Sequence, residues 1–208
     1  MSATLVVAAP AATVFAVLAD PAAHRAIDGT GWVREAVDPA PLTEAGQIFR
    51  MAMYHPGHPD GDYRTVNKVQ VFDPPRALAW LTGRELDDGR FEFGGWLWRY
   101  DLVPLGPAGT EVTLTYDWSA VPRFVRERGI RFPPFGPDHL TDSLHHLARL
   151  ATGHPGTPSA QPWRPPTALT PAYRLPRPAS GADRGRGSPP NGRTRGGGVA
   201  REGVHTIE

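Results

Sequence analysis

The chain has no cysteine and a single lysine, Lys68. Without thiols there is no disulfide, no thiolate nucleophile and no Cys-ligated metal, which fits a reducing compartment. No apolar run approaches the ~20 residues of a membrane-spanning helix. The stretch that comes nearest, LVVAAPAATVFAVLA at 5–19, has no basic segment before it, carries Pro10 in its middle and runs into Asp20 and Pro21. A strand, a proline and a helix explain it better than a secretory leader. A cytoplasmic protein without membrane insertion is the expectation. Strong charge of either sign is also missing, since 22 Lys+Arg and 21 Asp+Glu leave +1 over 208 residues.

That near-neutrality hides a split. Residues 1–152 carry 14 Lys+Arg against 18 Asp+Glu, a formal charge of −4, and 153–208 carry 8 against 3, or +5. The last 56 residues hold 10 Pro and 10 Gly but seven large apolar or aromatic side chains. Such a segment buries too little surface to offset its ordering entropy, so it reads as a disordered tail. The folded unit is then 1–152, about 150 residues and enough for one core. The tail's RGRGSPPNGRTRGGG run resembles an RG-rich nucleic-acid segment. It has no aromatics between its arginines for base stacking, which argues against nucleic acid as a partner.

What the chain has in abundance is alternation. In GGWLWRYDLVPLGPAGTEVTLTYDW, residues 94–118, Trp96, Trp98, Tyr100 and Leu102 fall on one side. Val112, Leu114, Tyr116 and Trp118 follow the same rule after a Pro/Gly turn. Period-two patterning predicts a hairpin with one buried face. Five of these eight inward positions are aromatic, more volume than a thin sheet needs. Either a large element covers that face, or it lines a cavity.

Upstream, a short strand over 4–8 leads through Pro10 into a helix over 11–19, and 22–27 permits a second short helix closed by Asp28 and Gly29. Strands are predicted at 32–37, 47–54, 63–72 and 77–82, with Phe49, Met51 and Met53 on one face. Tyr63, Thr65, Asn67, Val69 and Val71 share a face of the next strand, and Leu78 and Trp80 of the one after. After Trp118 comes an irregular Pro- and Phe-rich stretch. A last helix over 139–152 has Leu140, Leu144, Leu147, Ala148 and Ala151 at helical spacing, with Asp138 to cap it and Gly153 to close it. The pattern predicts an α+β fold: a curved antiparallel sheet of six to seven strands wrapped around a long C-terminal helix, with two short helices after the first strand.

Four segments carry a resemblance to the START-like superfamily, also called SRPBCC or Bet v 1-like, in its polyketide cyclase/dehydrase branch. They are VVAAPAATVFAVLADP, VFDPPRALAW, WLWRYDLVPLGPAGTEVTLTYDWS and HLTDSLHHLARLA. The resemblance spans 1–152. It implies a helix-grip fold whose cavity holds a lipid, sterol or polyketide. Some members are cyclases and others assist a chaperone, and no universal catalytic residue can be carried over.

The expected ligand wall is Phe49, Met51, Met53, Asn67, Trp80, Trp96, Trp98, Tyr100 and Tyr116, with Ser143 and Leu147 from the last helix. The alternative is a solid core of aromatics packed on one another. Asn67 stands out because an unpaired inward amide costs about 1–3 kcal/mol. His55, Tyr63 and Tyr116 are the candidates for acid–base chemistry on a ketone or enolate. His55 and His58 in HPGHPDGD, residues 55–62, suit a metal by type. Two prolines and no third defined ligand argue against one, so no metal or other cofactor is expected. His139, Asp142, His145 and His146 read as mostly solvated, and Arg99 and Asp101 as surface charges pairing across the sheet.

The expected function is binding of a hydrophobic small molecule, polyketide- or lipid-like, with cyclase-type proton chemistry as its catalytic form. A non-catalytic carrier or sensor and an Hsp90-activator-like interaction module are the alternatives. The sequence carries no signal for oligomeric state.

Overall fold

A computed structural model describes residues 1–153 apart from Pro59 and 128–130, with the side chain of Phe124 also left aside. The predicted disordered tail, from 154 on, lies outside the described residues.

Seven strands form one sheet in the order β1-β7-β6-β5-β4-β3-β2. They are β1 Ser2–Val7, β2 Val33–Ala36, β3 Ile48–Tyr54, β4 Asp62–Asp73, β5 Ala77–Glu85, β6 Phe91–Pro104 and β7 Thr110–Asp117. Every pair is antiparallel. The sheet curls into a half-barrel, with a C-terminal helix, α4 His139–Ala151, held against its flank. This is the expected α+β helix-grip arrangement. No helix among the described residues is long and apolar enough to cross a membrane.

The hairpin pairs as its alternation requires. Trp98 lies opposite Tyr116, Tyr100 opposite Leu114 and Leu102 opposite Val112. The ladder runs inward through Trp80 opposite Trp98 and Leu78 opposite Tyr100, then Asn67 opposite Thr82 and Phe49 opposite Asn67.

Register shifts occur in three pairings, one of them between Val33 and Ala36 at the β2–β3 edge, and the other two bear on the inner face. The register between β4 and β5 shifts between Val69 and Val71, so Phe72, not Val71, pairs with Leu78 on the inner face. Phe72 then meets Phe15 edge to face at 5.3 Å. An extra residue on one strand turns every later side chain over, and a sequence pattern does not mark it. The second shift lies between Leu81 and Gly83, where Gly83 faces Phe93. A Cβ on Gly83 would stand 2.2 Å from the Glu92 carbonyl oxygen, so only glycine fits this crossing.

Three of the helices pack on the same sheet. Asp20 caps the turn Pro21–Ala23 by accepting the Ala22 N–H at 2.9 Å. α1 Ala11–Leu18 lies over β5 and β6, α2 His24–Ile27 over β2, and α4 along β1 and β7. Two sequence expectations are corrected in this layer. Asp138 stands at the N-cap of α4 with helical dihedrals and makes no side-chain cap, and the irregular stretch after Trp118 contains a short helix, α3 Arg123–Glu127. Val14, Leu18, Leu78, Leu114, Leu140, Leu144 and Leu147 form the sealed centre of the core. Each such side chain stabilises the fold by about 1.5–3 kcal/mol through burial.

Candidate functional site

Burial changes systematically along the inner face of the sheet. Val69, Leu78, Leu102, Val112 and Leu114 are sealed. Toward the C-terminal ends of β3, β5 and β7 and the N-terminal ends of β4 and β6, the inward residues become half-buried. These are Met53, Tyr63, Thr65, Trp80, Thr82, Trp96, Trp98 and Trp118. One end of the inner face is thus sealed and the other, here called the open end, is half-buried. Large aromatic surface kept partly in contact with water is costly unless something covers it, which is how ligand walls are built.

Over the open end sit residues that the sequence placed elsewhere. Phe135, from the stretch before α4, stacks on Trp98 at 5.5 Å and meets Tyr116 at 5.0 Å and His139 at 4.3 Å. Trp98 and Tyr116 touch at 4.5 Å, and Phe132 lies against Trp96 at 5.8 Å. His139 is not solvated as expected; it is buried, with its ring edge on Trp98. As the first residue of α4 it points along the sheet's open end, and burial there forced the departure from a surface role.

Facing His139 is Asp28, in the loop after α2. Its carboxylate accepts the Thr30 N–H at 3.1 Å, the Thr30 hydroxyl at 2.9 Å and the Val33 N–H at 2.9 Å. This Asx-type turn fixes a buried negative charge. His139 Nδ1 stands 4.0 Å from Asp28 Oδ1, with both side chains more than nine-tenths buried. Nδ1 is fully enclosed and has no hydrogen-bond partner among the described residues. The loop is clamped to α4 by the Gly29 N–H donating to Ser143 Oγ at 3.0 Å and by His146 Nδ1 on the Ile27 carbonyl at 3.2 Å. A Cβ on Gly29 would fall 2.6 Å from the His139 carbonyl oxygen, so glycine is what lets loop and helix touch.

Electrostatics follow from this burial. Desolvation holds His139 below the ordinary histidine range, against the opposing pull of Asp28 and Asp142. Burial and the Asp28 charge push the Tyr63 phenol up to about 12. The same two causes raise Tyr100, and burial alone raises Tyr116. All three phenols stay protonated at neutral pH, and none of their hydroxyls is hydrogen-bonded to a described residue. They are donors available to something else.

The other predicted residues are placed as follows. Phe49 and Met51 are buried in the core and Met53 is half-buried at the open end. Trp80 stacks on His24 at 5.2 Å and on Tyr100 at 5.9 Å. Asn67 is already satisfied: its Oδ1 accepts from Thr82 Oγ1 at 2.8 Å and its Nδ2 donates to the Phe49 carbonyl at 3.4 Å. Ser143 is spent on Gly29, and Leu147 has no exposed surface. His55 is buried against Trp32 at 4.5 Å, and its Nδ1 accepts the Gly57 N–H at 2.9 Å, which engages that nitrogen in its own loop. Tyr63 stacks on His58 at 4.6 Å. Arg99 and Asp101 pair with each other along one strand at 2.6 Å, not across the sheet.

Sequence reasoning missed Asp28, His139, Phe132 and Phe135 as members of this group. The one available signal was the polar set His139, Ser143 and His146, spaced i, i+4, i+7 beside the apolar stripe of α4. It marks a second, polar contact line rather than a solvated face.

No family model matches the chain. It is similar to the uncharacterized protein Rv0088 of Mycobacterium tuberculosis, 33% identical over 120 residues, which cover 58% of this chain and 48% of that protein. A second M. tuberculosis protein, MT0096, is 34% identical over the same shares. The chain therefore spans about half the length of these curated relatives. Among solved structures, a protein from Arthrobacter aurescens matches with a TM-score of 0.53 at 15% identity, over 78% of this chain and 91% of that one. Protein Ms6760 from Mycobacterium smegmatis matches with a TM-score of 0.50 at 18% identity, over 73% and 90%. At such identities the likeness is one of fold, a curved antiparallel half-barrel compatible with the Bet v 1-like arrangement.

Proposed function

We propose that the chain is a START-like protein that binds a hydrophobic small molecule, polyketide- or lipid-like, at the open end of its half-barrel. The observation that carries the reading is the burial gradient along one sheet face. The same inward alternation yields sealed aliphatic residues at one end and half-buried Trp80, Trp96, Trp98 and Trp118 at the other. A solid core would seal both ends. Phenols raised above their ordinary range, whose hydroxyls make no hydrogen bond among the described residues, add donors along that wall. If the bound molecule undergoes proton chemistry, Asp28 and His139 are better placed for it than His55, whose Nδ1 is engaged by Gly57.

Native mass spectrometry of the purified full chain tests the reading. A non-covalent adduct of small-molecule mass is expected, together with thermal stabilisation by members of a polyketide and fatty-acid panel. Trp98→Ala should lose both while keeping the far-UV circular dichroism of the parent. No adduct and no stabilisation across the panel would sink the proposal.

A further inference from the structure

The pair Asp28 and His139 has a property that an apolar pocket does not need. Asp28 is a buried carboxylate whose oxygens are held by Thr30 and Val33. His139 Nδ1 is the enclosed, unpartnered nitrogen that faces it at 4.0 Å. A carboxylate accepts only, so its presence selects the tautomer with the proton on Nδ1. The imidazole stays neutral there, since burial disfavours its charged form, and so does its place at the positive end of α4. The consequence falls on the opposite side of the ring. Nε2 then carries a bare lone pair, makes no hydrogen bond to a described residue, and belongs to a ring set against Phe135 and Trp98.

We infer that this pair is a hydroxyl-recognition site: the ligand carries an acidic O–H on a flat ring, a phenol or enol, which donates to His139 Nε2 while its ring lies against the half-buried Trp98 and Phe135. The inference rests on the proposed ligand-binding function and names the chemical class of that ligand. A carboxylate ligand is disfavoured because it would bring a second negative charge beside Asp28. A ketone is disfavoured because it offers Nε2 no proton. Asp28 acts through His139 as a positioning residue. The other charged or titratable groups that face His139 are Asp142 and His146, both from its own helix.

The test uses three probes of one shape: 2-naphthol, 2-methoxynaphthalene and 2-(aminomethyl)naphthalene. Isothermal titration of the full chain at pH 8 should show 2-naphthol binding about ten-fold more tightly than its methyl ether, the worth of one good hydrogen bond. His139→Phe should bring that ratio close to one while the ether still binds. Asp28→Asn should reduce it in part, because an amide no longer imposes the tautomer. Should either variant fail to fold, long-range proton–nitrogen NMR on the wild type decides instead. The His139 Nε2 resonance should begin as an unprotonated nitrogen and move with 2-naphthol but not with the ether. Equal binding of naphthol and ether, with no shift at Nε2, overturns the inference and leaves the binding function intact. Tighter binding of the amine also overturns it, by assigning the Asp28 charge to an ammonium group. If no probe binds and the ligand panel also fails, both readings fall together.

Discussion

At the filled end of the concave face, Val69, Leu78, Leu102, Val112 and Leu114 meet Val14, Leu18, Leu144 and Leu147, and none of these has appreciable exposed surface. At the open end the same strands present Trp80, Trp96, Trp98 and Trp118, roofed by Phe132 and Phe135 and by the buried pair Asp28 and His139. One periodicity thus produces two environments. What separates them is the cover: helix at one end, a loop and the first residue of α4 at the other. Stability should reside in the first and recognition in the second.

The strongest way to break that division is to truncate one residue from each end. Leu114→Ala should cost about 2–5 kcal/mol, since a sealed leucine leaves a cavity its neighbours cannot fill. Trp118→Ala, half-exposed, should cost about 1 kcal/mol despite removing a larger side chain. Urea unfolding measures both. Ligand binding should show the reverse order, surviving the first change in whatever fraction stays folded and weakening with the second. Equal destabilisation would mean that the open end is ordinary core.

Much of this division was legible in the sequence. The parity of β6 and β7 placed Trp98, Tyr100 and Tyr116 on the inner face, and the leucine spacing of α4 gave its buried side. The Val71 assignment failed because a bulge at the β4–β5 pairing is a property of two strands, not of one. The Asp28–His139 pair was invisible for a related reason. Its loop and helix are joined by contacts such as Gly29 with Ser143, 114 residues apart, and neither segment has apolar periodicity at that point. A turn like Asp28, Gly29 and Thr30 announces a bend, and only tertiary packing decides that the bend is buried. Asn67 shows the opposite case, because its cross-strand partner Thr82 donates to the inward amide that the sequence left without a partner.

Next in size are two glycines of the same loop. Gly29→Ala should destabilise by about 1–3 kcal/mol, because its Cβ meets the backbone of His139 rather than a side chain able to swing away. It should also weaken 2-naphthol binding by spreading the loop from α4. Gly31→Ala has open space around it and pays only for its positive φ of 72°, about 1–2 kcal/mol, with binding unchanged. If both changes impair binding alike, the loop acts through its conformation and not through the clamp on Ser143.

Acidification acts on both ends with one sign. His24 is held below 6.5 by burial, its Nε2 donating to the Leu18 carbonyl at 2.9 Å, and His55 and His139 are lowered too. For each, the unfolded chain binds the proton more readily, so stability is complete above pH 6.5 and is lost as pH falls from there toward the depressed folded values. Denaturation midpoints at pH 7.5 and 5.0 should differ in that direction. His139→Phe and His24→Phe should each shrink the difference. A midpoint that rises on acidification would show that the Asp28 charge, not desolvation, governs His139.

The smallest effect belongs on the convex side of the same hairpin. Arg99 and Asp101 alternate with Trp98 and Tyr100 and pair with each other at 2.6 Å, with side chains 37% and 40% exposed. Water screens such a pair, and ordering two long side chains offsets much of its attraction, so Arg99→Ala should cost under about 1 kcal/mol and less in high salt. Its neighbour Trp98 lies one residue away on the other face, at the centre of the ring cluster. If Arg99→Ala changes ligand affinity at all, the sheet transmits strain between its faces, and the concave surface cannot be treated as a site defined by its own side chains. Unchanged affinity beside a measurable, salt-sensitive loss of stability would confine recognition to one face of a single strand.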